Sequence, residues 1–241
     1  MLLSVIIPAY NEEQRLGPQL AQVLGYVREH YPDAELIVVD DGSRDGTAQV
    51  VQTALENQPK ARLISYQPNR GKGYAIRQGV LASRGEAVLF LDADLSTPLS
   101  EIPRALAELA TADVVIGSRD LPGTQIKTPQ PFYRQAASEI FKWVRLGMVG
   151  LWQISDTQCG FKAYRGPAAR QLFALAQIDR FMFDVEILYL AQKAGLRMRE
   201  IPVEWNDQPG SKVKFWEGLV HMIRDLWRIR QRHRGPVKLS V

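Results

Sequence analysis

The feature that most constrains this chain is a regular alternation of two apolar spacings along its first half. Five short, mostly β-branched runs recur at Leu3–Ile7, Leu36–Val39, Leu63–Tyr66, Val88–Leu91 and Val114–Ile116. Between them lie stretches of helical spacing, Leu16–His30, Thr47–Leu55, Tyr74–Ala82 and Ile102–Ala110. Runs this uniformly apolar suit strands buried on both faces, and strands joined by helices pair in parallel. The pattern predicts an α/β fold, a mainly parallel sheet flanked by helices. With 241 residues, 46% of them hydrophobic, the chain can bury one large core.

In such sheets ligands gather where strands end. The first strand runs into Ala9-Tyr10-Asn11-Glu12, the second into Asp40-Asp41-Gly42-Ser43, the fourth into Asp92-Ala93-Asp94 and the fifth into Gly117-Ser118-Arg119. Four strand ends therefore aim polar groups at one rim. Asp92 and Asp94 send two carboxylates from one turn toward a common point, the oxygen chemistry that Mg²⁺ or Mn²⁺ takes together with substrate phosphates. The alternative for this pair is a cap on the helix after Thr97-Pro98, and for Asp40-Asp41 a plain turn into the helix at Thr47. Asn69-Arg70-Gly71-Lys72-Gly73 sets two cations and two glycines at a helix start, where backbone N–H groups favour an anion. It is neither a Walker A loop nor a dinucleotide fingerprint.

After Leu121 the alternation stops. Pro122, Gly123, Pro129 and Pro131 mark a loop before a helix expected over Phe132–Val149, and the rest reads as a C-terminal helical extension with a strand at Met198–Trp205. The net charge of +4 is uneven: residues 211–241 carry eight Lys and Arg against Glu217 and Asp225. There Phe215, Trp216, Leu219, Val220, Ile223, Leu226 and Trp227 recur at helical spacing, with His221, Arg224, Arg228 and Arg232 opposite. That is an interfacial helix on a membrane surface, or an ordinary helix packing its stripe on the core. No nucleic-acid module accompanies the charge, so nucleic acid is not an expected partner. His30, His221 and His233 lack metal-ligand spacing and are expected to be surface residues; Cys159, the single cysteine, has no disulfide partner. The N-terminal apolar run is too short for a membrane span.

Taken in order and spacing, Ser4-Val5-Ile6-Ile7-Pro8-Ala9-Tyr10-Asn11-Glu12, Val39-Asp40-Asp41-Gly42-Ser43, Asn69-Arg70-Gly71-Lys72-Gly73 and Asp92-Ala93-Asp94 resemble the inverting family-2 glycosyltransferases. The later segments Asp156-Thr157-Gln158-Cys159-Gly160-Phe161-Lys162, Arg180-Phe181-Met182-Phe183-Asp184-Val185-Glu186 and Gly210-Ser211-Lys212 resemble the dolichyl-phosphate β-glucosyltransferases among them. The related mannose synthases share the layout but differ at the cysteine-bearing segment.

The resemblance implies a GT-A, Rossmann-like fold and transfer of glucose from UDP-glucose to a polyprenyl phosphate; the neighbouring reading is mannose from GDP-mannose. It divides the chain into a catalytic domain over 1–210, with a nucleotide-binding half to 120 and an acceptor half beyond, and a mobile loop with a basic helix over 211–241. By motif position, Pro8, Tyr10, Glu12, Asp40 and Asp41 would line the uracil and ribose pocket, with Lys72 and Asp92 also on the nucleotide. Asp92 and Asp94 would serve the metal and diphosphate. Arg119, Arg134 and Lys212 would hold phosphates, the last on a loop closing over the donor, and Glu186 would bind sugar hydroxyls or orient a basic residue, unless it is a core-edge acid. Two departures stand out: Ser96 occupies a position where mannose synthases often carry a metal-binding Gln, and the leading membrane helix of the eukaryotic enzymes is not in this sequence. A peripheral place on the cytoplasmic face of a membrane is the corresponding expectation.

Overall fold

The computed structural model describes residues 1–126, 142–206 and 215–240, without the side chains of 126 and 215–221. Its first half is built as the alternation dictates: β1 (Leu3–Ala9), α1 (Leu16–His30), β2 (Glu35–Asp40), α2 (Thr47–Leu55), β3 (Ala61–Ser65), α3 (Lys72–Ala82), β4 (Ala87–Leu91), α4 (Ile102–Glu108) and β5 (Val114–Ser118). A short β6 (Gln125–Ile126) and a helix α5 over 142–149 follow, then β7 (Phe161–Arg165), α6 (Gly166–Leu175), α7 (Phe183–Lys193), β8 (Met198–Pro202), β9 (Glu204–Trp205) and α8 (Phe215–Arg232). The rest of the helix expected over Phe132–Val149 lies outside the described residues.

Seven strands form one sheet in the order β3-β2-β1-β4-β7-β5-β8, and β7 alone runs antiparallel to its neighbours. The order reverses direction at β1: the chain builds outward through β2 and β3, then returns to lay β4 on the other side. Such a switch opens a crevice beyond the carboxyl ends of β1 and β4. Residues of both halves, β4 and β5 with β7 and β8, share the sheet.

Period two along each strand sorts the core into two layers. Ile6, Ile37, Val39, Val88, Phe90, Val114 and Ile116 face α3, α6 and α7. Val5, Ile7, Leu36, Val38, Leu89 and Val115 face Leu20 and Val23 of α1, Val51 of α2 and Ile102 of α4. At the sheet edge β3 is only half-buried, and it begins two residues before the apolar run that marks it in the sequence.

The antiparallel β7 is absent from the sequence reading because Lys162, a fully buried lysine, interrupts its apolar run. In α7 the buried Asp184 and Glu186 likewise mask the helical stripe. Lys162 Nζ donates to Asp184 Oδ1 at 2.7 Å and to the Cys159 carbonyl at 2.6 Å, so the two buried charges satisfy each other across the sheet face. Burial lifts the Asp184 carboxyl above its ordinary range, against the pull of Lys162 and Lys72.

At the C-terminus one open reading is divided and one expectation is corrected. Leu226 and Ile229 of α8 are fully buried in the main core, whereas Ile223 and Trp227 are exposed, so the apolar stripe divides between protein and surface. His233 is not a surface residue: its Nε2 sits 2.7 Å from Glu186 Oε1, while Glu186 Oε2 accepts from the backbone N–H of Gln177 and Ile178 at 2.9 and 2.8 Å. Glu186, with no exposed surface, therefore orients a basic residue inside the core rather than reaching a sugar. Replacing Glu186 by Ala strands two backbone donors and a histidine, and urea unfolding is expected to show a loss of about 3 kcal/mol; a loss below about 1 kcal/mol would show the clasp to be dispensable.

Candidate active site

The turns that leave β1 and β2 hold each other. Asn11, in the left-handed region at φ 53°, accepts from the Arg44 N–H through Oδ1 and donates its own N–H to Ser43 Oγ. The Glu12 N–H donates to Thr47 Oγ1 at 2.7 Å, and its carboxylate is gripped by Arg15 through Nε and Nη2, both at 2.8 Å. Pro8 is buried in β1 beside Val39, and Tyr10 stands at the rim, 37% exposed. These residues, expected around a uracil and ribose, stand at the carboxyl end of β1, where the strand order reverses.

Asp40 and Asp41, at the end of β2, are both buried. Asp40 Oδ1 accepts from the Ser43 N–H and Oδ2 from Ser65 Oγ. Asp41 fills its acceptor capacity within the protein: Oδ1 takes Tyr66 OH at 2.8 Å and the Arg70 N–H at 2.9 Å, and Oδ2 takes Asn69 Nδ2 at 2.7 Å and the Gly71 N–H at 2.8 Å. The basic glycine loop, read from sequence as an anion cradle, thus holds an anion of the chain itself. Gly71 turns at φ 112°, where a Cβ would also meet the Asp179 carbonyl, and α3 starts at the next residue.

That start delivers Lys72 to the DxD turn. Lys72 Nζ lies 2.5 Å from Asp92 Oδ1. Burial pulls the Lys72 ammonium down, but Asp92, Asp184 and Asp94 outweigh it and hold its pKa above the ordinary lysine value. Beyond β4, the Asp92 N–H donates to the Gly160 carbonyl at 3.1 Å, and a Cβ at position 160 would overlap the Asp92 carboxylate. Only glycine lets β7 begin this close to the acid. Leu95 takes φ 51°, a conformation costly for a side chain with a Cβ, and Asp94 Oδ1 accepts from Ser96 N and Ser96 Oγ at 3.0 and 2.8 Å. Among the described residues Asp94 Oδ2 takes no hydrogen bond. Two carboxylates, one braced by a lysine and one with an oxygen to offer, form the kind of hard donor set that holds a divalent cation together with phosphates.

At the end of β5, Arg119 is clamped by Asp156, Nε to Oδ2 at 2.6 Å and Nη2 to Oδ1 at 2.9 Å, with its guanidinium 5.3 Å from the Trp205 ring. Arg119 keeps 27% of its side chain exposed while Asp156 is almost fully covered. Ser155 and Asp156 donate their N–H groups to Glu200 of β8, which fixes the clamp to the sheet. Burial raises the Asp156 carboxyl, yet the charge and hydrogen bonds of Arg119 bring it down to about 2. Arg134 and Lys212, the other expected phosphate cations, lie outside the described residues.

Asp156, Gly160, Lys162 and Asp184 carry no assigned role in the sequence reading although they fall in segments that carry the resemblance. The signal that could have found them is a charge inside an apolar run, as at Lys162, which calls for a buried partner. The Asp156 linkage is testable. Its carboxyl is depressed in the folded state, so the stability it adds is complete above pH ~5 and fades as pH falls toward ~2. The acid limb of a urea-unfolding pH profile is expected to flatten in Asp156→Asn; an unchanged limb would contradict the clamp.

The Glycosyl transferase family 2 model matches residues 4–173. Among curated proteins, the dolichyl-phosphate beta-glucosyltransferase of Dictyostelium discoideum is 37% identical over 96% of this chain and 74% of its own length. The Drosophila melanogaster and Homo sapiens proteins of that name are 38% and 35% identical, each over 96% of this chain and 75% of their own. Among solved structures, glucosyl-3-phosphoglycerate synthase from Mycobacterium tuberculosis has the same fold, with a TM-score of 0.67 at 20% identity over 98% of this chain and 81% of that one. In its complex with Mn²⁺, UDP and glucosyl-3-phosphoglycerate the TM-score is 0.65 at 19% identity, over 98% of this chain and 81% of that one. The chain belongs to glycosyltransferase family 2, in the group of the dolichyl-phosphate β-glucosyltransferases, and has their GT-A, Rossmann-like architecture.

Proposed function

We propose that this hexosyltransferase moves glucose from UDP-glucose to a polyprenyl, dolichyl-type phosphate with inversion, giving a β-linked lipid phosphate sugar. The observation that carries the reading is the braced acidic turn at the β1/β4 crevice, Lys72–Asp92 beside Asp94, in a chain more than a third identical to dolichyl-phosphate β-glucosyltransferases. Pro8, Tyr10 and Glu12 line the base and ribose end, with Asp40 and Asp41 shaping it from behind. Lys72 addresses the diphosphate directly, and Asp92 and Asp94 would hold Mg²⁺ or Mn²⁺ against it. Bound there, the metal would supply positive charge against the departing UDP. Arg119, with Arg134 and Lys212, aligns the anionic substrates.

A phosphate monoester has its second pKa near about 6, so the acceptor oxygen is already ionised at neutral pH and needs no strong base. The chain's work is then positioning and charge: keep the acceptor oxygen in line with C1 and exclude water. The acceptor remains in a bilayer, and no helix among the described residues is long and apolar enough to cross one. The enzyme works peripherally, on the cytoplasmic face.

A donor screen with a short polyprenyl phosphate tests this. Lipid product is expected from UDP-glucose with Mg²⁺ or Mn²⁺, and Asp94→Ala is expected to lower kcat by roughly a hundredfold or more with the fold retained. Product from GDP-mannose alone would replace glucose by mannose, and unchanged turnover in Asp94→Ala would remove the metal assignment.

A further inference from the structure

Four of the large hydrophobic side chains left exposed gather on α5, the turn after it and α8: Trp143 at 67%, Trp152 at 70%, Ile223 at 41% and Trp227 at 56%. Single exposed apolar residues are ordinary; three exposed tryptophans on adjoining elements are not. Met148, Ile223, Arg224 and Trp227 line an open groove of about 430 Å³ between the two helices, and Arg230 ties α8 to α5 by donating to the Met148 carbonyl at 3.2 Å. From Arg224 to Arg234 the chain carries five arginines against Asp225.

We propose that this α5–α8 face is the surface by which the protein sits on an anionic bilayer, with Trp143, Trp152 and Trp227 at headgroup depth and the α8 arginines over the lipid phosphates. Indole suits that depth, apolar in its ring and polar at its N–H, and arginine beside it adds attraction to negative lipid. Leu226 and Ile229, buried in the core on the other side of α8, hold the helix to the protein, so the face is a rigid platform rather than a free tail. The face is also linked to the site along the chain. Trp152 is four residues from Asp156, the clamp on Arg119, and four residues of chain reach at most about 14 Å. A lipid phosphate at the level of Trp152 is thereby brought within reach of the crevice. The inference rests on the lipid-acceptor reading.

The test uses the full chain, wild type and Trp152→Ser/Trp227→Ser, with phosphatidylcholine vesicles with and without phosphatidylserine. Wild type is expected to co-sediment with the phosphatidylserine vesicles, to release at high salt, and to show tryptophan quenching by brominated phosphatidylcholine mixed into them. The variant is expected to lose at least about tenfold in vesicle affinity while keeping wild-type turnover on a short, water-soluble polyprenyl phosphate. Wild-type vesicle binding by the variant, or a wild type that leaves the vesicles unbound and dimerises through this face in sedimentation, overturns the proposal. The arms separate the two readings: turnover on the soluble acceptor without vesicle binding sinks the surface alone, and vesicle binding without turnover on any polyprenyl phosphate sinks the lipid-acceptor reading alone.

Discussion

The Asp41 carboxylate is the anchor on which the rest of the site depends. Four donors, two of them the backbone N–H groups of Arg70 and Gly71, converge on its two oxygens, and they fix the residue from which α3 starts. Lys72 is the first residue of that helix, so its ammonium falls on Asp92 and not elsewhere. Asp92 in turn is held by the Gly160 carbonyl at the start of β7, the strand inserted between β4 and β5. One internal anion thus sets the cation, the cation braces the first acid of the turn, and the second acid keeps an oxygen for a ligand. A charged rim assembled this way is stiff before substrate arrives, which lowers the reorganisation needed when the diphosphate leaves.

Much of this was legible in the sequence because strands and ligand rims obey short-range rules. Apolar runs bounded by polar turns placed β1, β2, β4 and β5, and the polar turn residues follow the carboxyl ends of those strands. What escaped were long-range pairings. Nothing local to Lys162 announces that Asp184, on α7, waits within 2.7 Å, and nothing local to Gly160 announces the Asp92 carboxylate against which it packs. The role of Asp41 escaped for the same reason: Tyr66 and Asn69, more than twenty residues on, take up its oxygens. His233 reads as a tail histidine and is a core residue because Glu186 lies beneath it.

The C-terminal helix shows why an amphipathic pattern alone leaves its target open. A helical stripe says which residues share a side, not what covers them. In α8 the stripe is wide enough to serve two surfaces: Leu226 and Ile229 close the core, and Ile223 and Trp227 remain outside beside basic residues. On the proposed reading, the turn after α5, which carries Trp152, would link that surface along the chain to the Arg119–Asp156 clamp.

The central claim is that Asp94, beside a lysine-braced Asp92, anchors a divalent metal together with the donor diphosphate. Electron paramagnetic resonance of free Mn²⁺ tests it most directly, because it reads the metal without requiring turnover. With UDP present, wild type is expected to remove Mn²⁺ from solution at one site, and Asp94→Asn to weaken that binding by about tenfold or more. Mn²⁺ binding by Asp94→Asn at wild-type affinity would contradict the account.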